Sequence, residues 1–287
     1  MILTACLFFP AAARPQLRSG TIVVISYSKQ KVILAADSRA NLGDDRYEDS
    51  YCKVTALSNK LIFAATGIVG DNSYLLPEDL RFGAIEEARK AAASTITNPD
   101  PFGYGTVGAV ATRWGQAMTV RFTKASKIRL DEWLKAINAT DERAFVIGIF
   151  AGLEPTGEVA VKCVHVDYGE PQKGHFVPIA RYNLQFIDMS SIPDGITMIE
   201  AYGMPEVIQE IKAGKTQRAK EEAVAMAKLA KQLTPEEFDR ARVIRLVDLT
   251  LAYHPKQKFV GGNIDALELL HSGRVNWIQR KNNCPAN

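Results

Sequence analysis

Short β-branched apolar runs alternate along the chain with longer stretches of helical spacing. Residues 21–28 (TIVVISYS) and 31–36 (KVILAA) flank the polar pair Lys29 and Gln30, which predicts a hairpin of two buried strands. After a polar loop over residues 41–50, the run KVTALSNKLIFAATG predicts a second hairpin that turns at Ser58 and Asn59 and ends its strand at Gly67. Over residues 75–96, Leu80, Ala84, Ala88 and Ala91 share one helical face, with Pro77 as a first-turn residue. The Pro and Gly cluster at 99–105 reads as a loop, and the segment carrying Trp114, Val120 and Trp133 as mixed structure with room for a second helix.

Residues 144–151 (AFVIGIFA) and 158–166 (EVAVKCVHV) predict a third hairpin around Pro155, Thr156 and Gly157. Residues 167–197 are polar and rich in Gly and Pro, and read as an insertion or a long excursion at a sheet edge. Helices are predicted over 205–232, interrupted near Gly214, and over 235–253, where Thr234, Pro235 and Glu237 form a capping-box sequence. The runs GGNIDALELL and SGRVNWI predict a last hairpin turning on Ser272 and Gly273. This order of strands, helices, strands, helices and strands predicts an α+β fold: a four-layer αββα sandwich of two antiparallel sheets covered outside by helices. No break in composition divides residues 21–287, which read as one domain behind a distinct segment, 1–20.

The composition, 47% hydrophobic and 23% charged, is that of an ordinary globular chain. A net charge of +3 from 35 basic and 32 acidic residues is too even to indicate a nucleic-acid-binding surface. Cys6, Cys52, Cys163 and Cys284 are scattered without a CxxC pair, and none of the four histidines falls in an HxxxH arrangement, so the pattern offers no metal centre. Beyond the leader no apolar stretch approaches the roughly 18 residues of a membrane span. Residues 1–13 are apolar and end in Ala11, Ala12 and Ala13 like the end of a secretory signal, but lack a basic start. They fit a truncated export signal or a hydrophobic propeptide, and leave cytoplasmic and exported locations equally open.

The chemistry gathers around the dipeptide Gly20, Thr21. If the chain is cut there, the new α-amine, with a reference pKa of about 7.7–8, can act as base for the threonine hydroxyl. Gly20 leaves the carbonyl of the bond unobstructed. Asp37 follows a predicted strand and Lys53 precedes one, so both sit at strand ends, where side chains are held firmly. A cation near the nucleophile lowers the pKa of its hydroxyl and amine, and a carboxylate keeps that cation charged and oriented. Taken singly, each residue has an ordinary reading as a strand threonine, a turn aspartate or a surface lysine.

Through GTIVVISY, VILAADSRANLG, the lysine of YCKV and LIFAATGIVGD, the chain resembles the proteasome β-type family of N-terminal nucleophile hydrolases. The resemblance is gap-free over residues 20–72 and returns weakly in FVGGNIDALELLHSGRVNWI. It implies that Thr21 is the nucleophile, Asp37 and Lys53 its charge pair, Arg39 a brace, and the backbone N–H of Gly67 the oxyanion donor. It also implies a pocket shaped by Ala65 and bordered by Tyr51, Val69 and Ser73, roomy and neutral, suited to large apolar side chains. Ala65 as plain strand core is an equal alternative. Catalytic members carry an Asp and then a Ser before a Gly pair near the C-terminus; here Gln257 and Val260 occupy those places, and AYGMP (201–205) replaces a serine-bearing turn.

The resemblance therefore implies a threonine peptidase that matures between Gly20 and Thr21 and acts on peptides or proteins through an acyl-enzyme. No cofactor is required, and a homo-oligomer, in this family a ring, is the expected assembly. The alternatives are an amidohydrolase of the same fold acting on a small amide, and a non-catalytic scaffold subunit that keeps its propeptide.

Overall fold

The structure is a computed structural model that describes residues 17–20, 22–42, 46–97, 105–137, 144–168, 180–254, 260–282 and 284. In chain order the first strands are β1 (Leu17–Gly20), β2 (Ile22–Tyr27), β3 (Lys31–Asp37), β4 (Ala40–Asn41), β5 (Tyr47–Glu48), β6 (Val54–Ser58), β7 (Leu61–Asp71) and β8 (Phe82–Gly83). Two helices follow, α1 (Ala84–Thr97) and α2 (Gly105–Ile137), then β9 (Ala144–Leu153), β10 (Val159–Tyr168), β11 (Ala180–Ile187) and β12 (Met198–Gly203). Helices α3 (Glu206–Ala213), α4 (Gln217–Ala230) and α5 (Pro235–Tyr253) lead to the last hairpin, β13 (Ile264–Leu270) and β14 (Val275–Gln279). The molecule is thus mixed α+β, with five α-helices and two antiparallel sheets among the described residues.

The smaller sheet runs β12-β2-β3-β13-β14. The larger runs β11-β10-β9-β7-β1-β4-β5, with β6 and β8 also pairing β7. Three apolar clusters show what each face buries. Val23, Ile25 and Leu34 of the smaller sheet pack with Ile62, Ala64, Ile147 and Ile149 of the larger. The other face of the larger sheet, through Phe63 and Phe150, packs with Trp114, Met118 and Phe122 of α2. The other face of the smaller sheet, through Ile22, Val24, Ile33 and Ala35, packs with Val207, Val243 and Val247 of α3 and α5. Strand alternation divides each run in this way: Val23 and Ile25 face one side, Ile22 and Val24 the other.

The four predicted hairpins are present, β2–β3, β6–β7, β9–β10 and β13–β14. The capping box of α5 has both reciprocal bonds between Thr234 and Glu237, and Gly214 closes α3 in the left-handed conformation. Other boundaries differ. Gly67 does not end its strand: β7 continues to Asp71, because β1 supplies a new partner from Gly67 onward. The helix expected from residue 75 begins only at Ala84; before it lie a short 3₁₀ turn (Glu78–Leu80) and β8, which pairs the end of β7. The segment with Trp114, Val120 and Trp133 is one 33-residue helix. Within the expected 167–197 excursion, residues 180–187 form the edge strand β11, paired along β10, and 169–179 lie outside the described residues. Residues 1–16 also lie outside them. No described helix is long and apolar enough to cross a membrane.

Candidate active site

One long strand organises the site. β7 offers its Leu61–Ala64 edge to β6, and the continuation of the same edge, from Gly67 to Asp71, to β1. The register sets Gly20 opposite Gly67, Ser19 opposite Ile68, Arg18 opposite Gly70 and Leu17 opposite Asp71, with a bulge between Arg18 and Ser19. Antiparallel partners stand about 4.5–5.5 Å apart at Cα, so the backbone of Gly20 lies against that of Gly67. On its outer side β1 pairs β4, Ser19 opposite Asn41.

Gly67 has φ +84°, and a Cβ there would fall 2.6 Å from the Phe145 carbonyl oxygen and 3.0 Å from the Cα of Val146. Both the conformation and the close backbone approach require glycine. Far along β7, the Asp71 carboxylate accepts from Trp133 Nε1 at 2.9 Å and pairs with Arg129 at 3.3 Å, all three buried. This ties the strand end that receives β1 to the C-terminal half of α2.

Asp37 closes β3, and Lys53 directly precedes β6. The Lys53 ammonium donates to Asp37 Oδ1 at 2.6 Å, and both side chains are 0% exposed. Asp37 also accepts from the backbone N–H of Ile22 at Oδ1, 3.2 Å, and from that of Gly261 at Oδ2, 3.2 Å. Burial pushes the Lys53 pKa below the ordinary lysine value, and the Asp37 carboxylate opposes part of that shift. The Lys53 backbone is held in turn, its carbonyl accepting from the N–H of Ala65 at 3.1 Å.

Arg39 stands just outside the pair. Its guanidinium forks onto the Asp49 carboxylate and donates to the Val260 carbonyl at 3.2 Å. The charge-assisted bond to Asp49 raises Arg39 and lowers Asp49 from their ordinary values. The N–H groups of Ser38 and Arg39 both donate to the Gly261 carbonyl. Gly262, at φ +72°, sits so close that a Cβ would meet Ser38 Oγ at 2.3 Å and the Asp49 carbonyl at 2.8 Å. The Gly pair thus lets the 260–262 loop lie directly on the Ser38 and Arg39 backbone and reach the Asp37 carboxylate.

The structure brings Gly20, Asp37, Lys53, Arg39 and Gly67 into one neighbourhood. Thr21 lies outside the described residues, as does Gln257, whereas both chain neighbours of Thr21 are described: Gly20 against Gly67, and Ile22 with its N–H on Asp37. Ala65 and Val69 are buried in the cluster shared with α1 and α2, against which Tyr51 packs. Ser73 is buried with its hydroxyl accepting from the Leu75 N–H, and Tyr51 donates to the Val69 carbonyl at 3.2 Å. Val260 is buried and offers only its backbone, and the 201–205 turn presents Gly203 at φ +98° opposite Ile22.

Sequence reading missed a second buried pair beside the first. Lys281 Nζ donates to the Tyr51 carbonyl at 2.7 Å and pairs with Asp265 Oδ2 at 2.9 Å. Cys52, the residue before Lys53, forms a disulfide with Cys284. Cys52, Asp265 and Cys284 offer ligand atoms within 4.8 Å of one another, but the joined sulfurs carry no thiolate and the Lys281 ammonium already occupies Asp265, so the group is a covalent link rather than a metal cage. The available signal was acidic Asp265 inside a strand that is otherwise mostly apolar; cysteines 232 residues apart gave none. Compared with protein-family models and with curated proteins, the chain matches neither.

Proposed function

We propose that the chain is a threonine peptidase built on the four-layer αββα sandwich of the N-terminal nucleophile hydrolases. It matures by cleavage between Gly20 and Thr21 and then hydrolyses peptide bonds through an ester on Thr21. The observation that carries this reading is the fixing of the two neighbours of Thr21 at different halves of one site, Gly20 against Gly67 and Ile22 on the Asp37–Lys53 pair. An ordinary strand threonine has no need of a buried lysine on the carboxylate that accepts from the next residue's N–H.

In the first turnover the Thr21 hydroxyl attacks the Gly20 carbonyl, the peptide nitrogen leaves as the new α-amine, and water hydrolyses the resulting ester. The Lys53 ammonium favours the ionising hydroxyl, while Asp37 keeps the ammonium charged and directed. A backbone N–H at Gly67 aimed at the developing oxyanion would contribute roughly 3–4 kcal/mol, the scale on which such donors act. β1 serves as a tethered example of the later substrate, an extended peptide paired antiparallel to β7. The mechanism needs no metal or organic cofactor.

Intact mass and N-terminal sequencing of the purified chain test the reading: a mature species starting at Thr21, abolished in Thr21→Ala, is expected together with amide hydrolysis. Maturation that persists in Thr21→Ala sinks self-cleavage. One observation favours a second reading, an uncut scaffold subunit: position 260 is a buried valine and the 201–205 turn carries no serine, where catalytic members of the family have supporting serines. A purified chain that retains residues 14–20 and hydrolyses nothing supports it, and size measurement reports whether either form assembles as a homo-oligomer.

A further inference from the structure

The segment after β14 folds back over the residues that lead into Lys53, and it does so at two points. Lys281 donates from Nζ to the Tyr51 carbonyl at 2.7 Å while its own N–H donates to Asp265 Oδ1 at 3.0 Å. Three residues on, Cys284 is bonded to Cys52. Tyr51 and Cys52 are therefore gripped immediately before Lys53. Asp265 anchors the grip on β13, where its neighbour Ile264 pairs with Asp37. One short segment thus ties β13, which pairs with Asp37, to the residues that lead into Lys53.

We propose that this segment is a clasp in which Lys281 is a positioning residue for Lys53 and the Cys52–Cys284 disulfide is a thiol-sensitive latch. Its consequence for activity rests on the hydrolase reading above. Lys281 and Lys53 are close enough for the former's charge to oppose protonation of the latter, so the clasp holds two ammonium groups in place with Asp37 and Asp265 as their respective counter-charges.

The latch is reachable. Cys52 is only half-buried and lines a cleft of about 230 Å³ together with Glu48, Thr55, Glu86 and Arg89, whereas Cys284 is buried. A small dithiol entering there as its thiolate attacks Cys52 Sγ and breaks the S–S bond, and Cys284 leaves and takes up a proton. The dithiol's second sulfur then attacks the mixed disulfide, closing a cyclic disulfide and freeing Cys52 as a thiol. Two electrons and two protons pass from the dithiol to the cysteines. The freed Cys284 thiol stands at a sulfur position 3.3 Å from Asp265 Oδ2, where it competes with Lys281 for the carboxylate. Reduction thereby loosens the polar half of the clasp as well as the covalent half.

The test is hydrogen exchange and maturation on the full chain, oxidised and after treatment with dithiothreitol. Reduction, or Cys284→Ser, is expected to speed exchange at the amides of residues 51–54 by about tenfold or more with the β9–β10 hairpin unchanged, and to slow the Gly20–Thr21 cut by about tenfold. In the oxidised chain Lys281→Met should slow the cut similarly and Lys281→Arg should restore it. Exchange indifferent to the thiol overturns the latch. Faster exchange with unchanged maturation, or no rescue by arginine, overturns the positioning role. If the oxidised parent never matures and hydrolyses no amide, the hydrolase reading has failed instead, and the exchange result alone accepts or rejects the clasp.

Discussion

The Lys53 ammonium meets the Asp37 carboxylate at 2.6 Å with neither side chain exposed to solvent. Desolvating two charges costs several kcal/mol each, and only close geometry with further hydrogen bonds offsets it. Here Asp37 has both, since Ile22 and Gly261 also donate to it.

Removing one member should therefore be worse than removing both. Lys53→Met is expected to cost about 3–5 kcal/mol of stability by stranding the carboxylate, and Asp37→Asn with Lys53→Met to recover most of it. Urea denaturation of the two single variants and the double variant measures the coupling. Additive losses would show that the pair does not act as a unit.

The pH dependence should carry opposite signs in two assays. Burial holds folded Lys53 below the unfolded lysine value of about 10.4. Between those two values the unfolded chain keeps a proton that the folded chain has released, so this group's contribution to stability rises with pH across the window. Activity that needs the ammonium falls across the same window. Rate and urea midpoint measured on the alkaline side should diverge, and Lys53→Arg, whose guanidinium keeps its proton, should remove the stability slope attributable to this residue.

Gly67→Ala meets two obstacles, a φ of +84° and a Cβ 2.6 Å from the Phe145 carbonyl oxygen. A left-handed non-glycine residue alone costs on the order of 1–3 kcal/mol. We expect at least that loss by chemical denaturation, with the β7–β9 pairing at Val146 most affected. A stability equal to the parent's would show that the β7–β9 contact at Gly67 yields to a methyl group without cost.

A chain made without residues 1–20 leaves the edge of β7 from Gly67 to Asp71 without its β1 partner. Unpaired strand edges recruit other strands. Self-association in size-exclusion chromatography is expected, suppressed by an added peptide containing Leu-Arg-Ser-Gly, which should also raise the thermal midpoint. A monodisperse chain indifferent to the peptide would argue that the edge is covered by something else.

Local periodicity carried the hairpins, the capping box and the strand-end positions of Asp37 and Lys53, because each is decided by residues within about one element of itself. Partners from far along the chain decided the rest. Gly67 looked like a strand end because glycine punctuates strands, yet β1 pairs beyond it. Residues 180–187 looked like part of an excursion, yet they take their strand form from β10. The 33-residue α2 was obscured by its glycines, Gly108 and Gly115. At Gly115 a Cβ would press on Tyr182 and Val164, each at 2.9 Å, so that glycine answers to close packing against the sheet. Lys281 and Cys284 lie over 200 residues from their partners Tyr51 and Cys52, a distance at which neither pattern nor spacing gives a signal.

That separation also orders events during synthesis. The strand that flanks Asp37, β13, and the clasp on Cys52 both come from the last stretch of the chain. At about 5–20 residues per second, a ribosome needs roughly 10–50 s to make the 232 residues between the two cysteines. Through that interval Asp37 and Lys53 have been translated while β13 and the clasp have not. Full assembly of the site therefore waits until residues 264–284 have been made, and on the proposed reading a nascent chain stalled before residue 264 should remain uncut between Gly20 and Thr21.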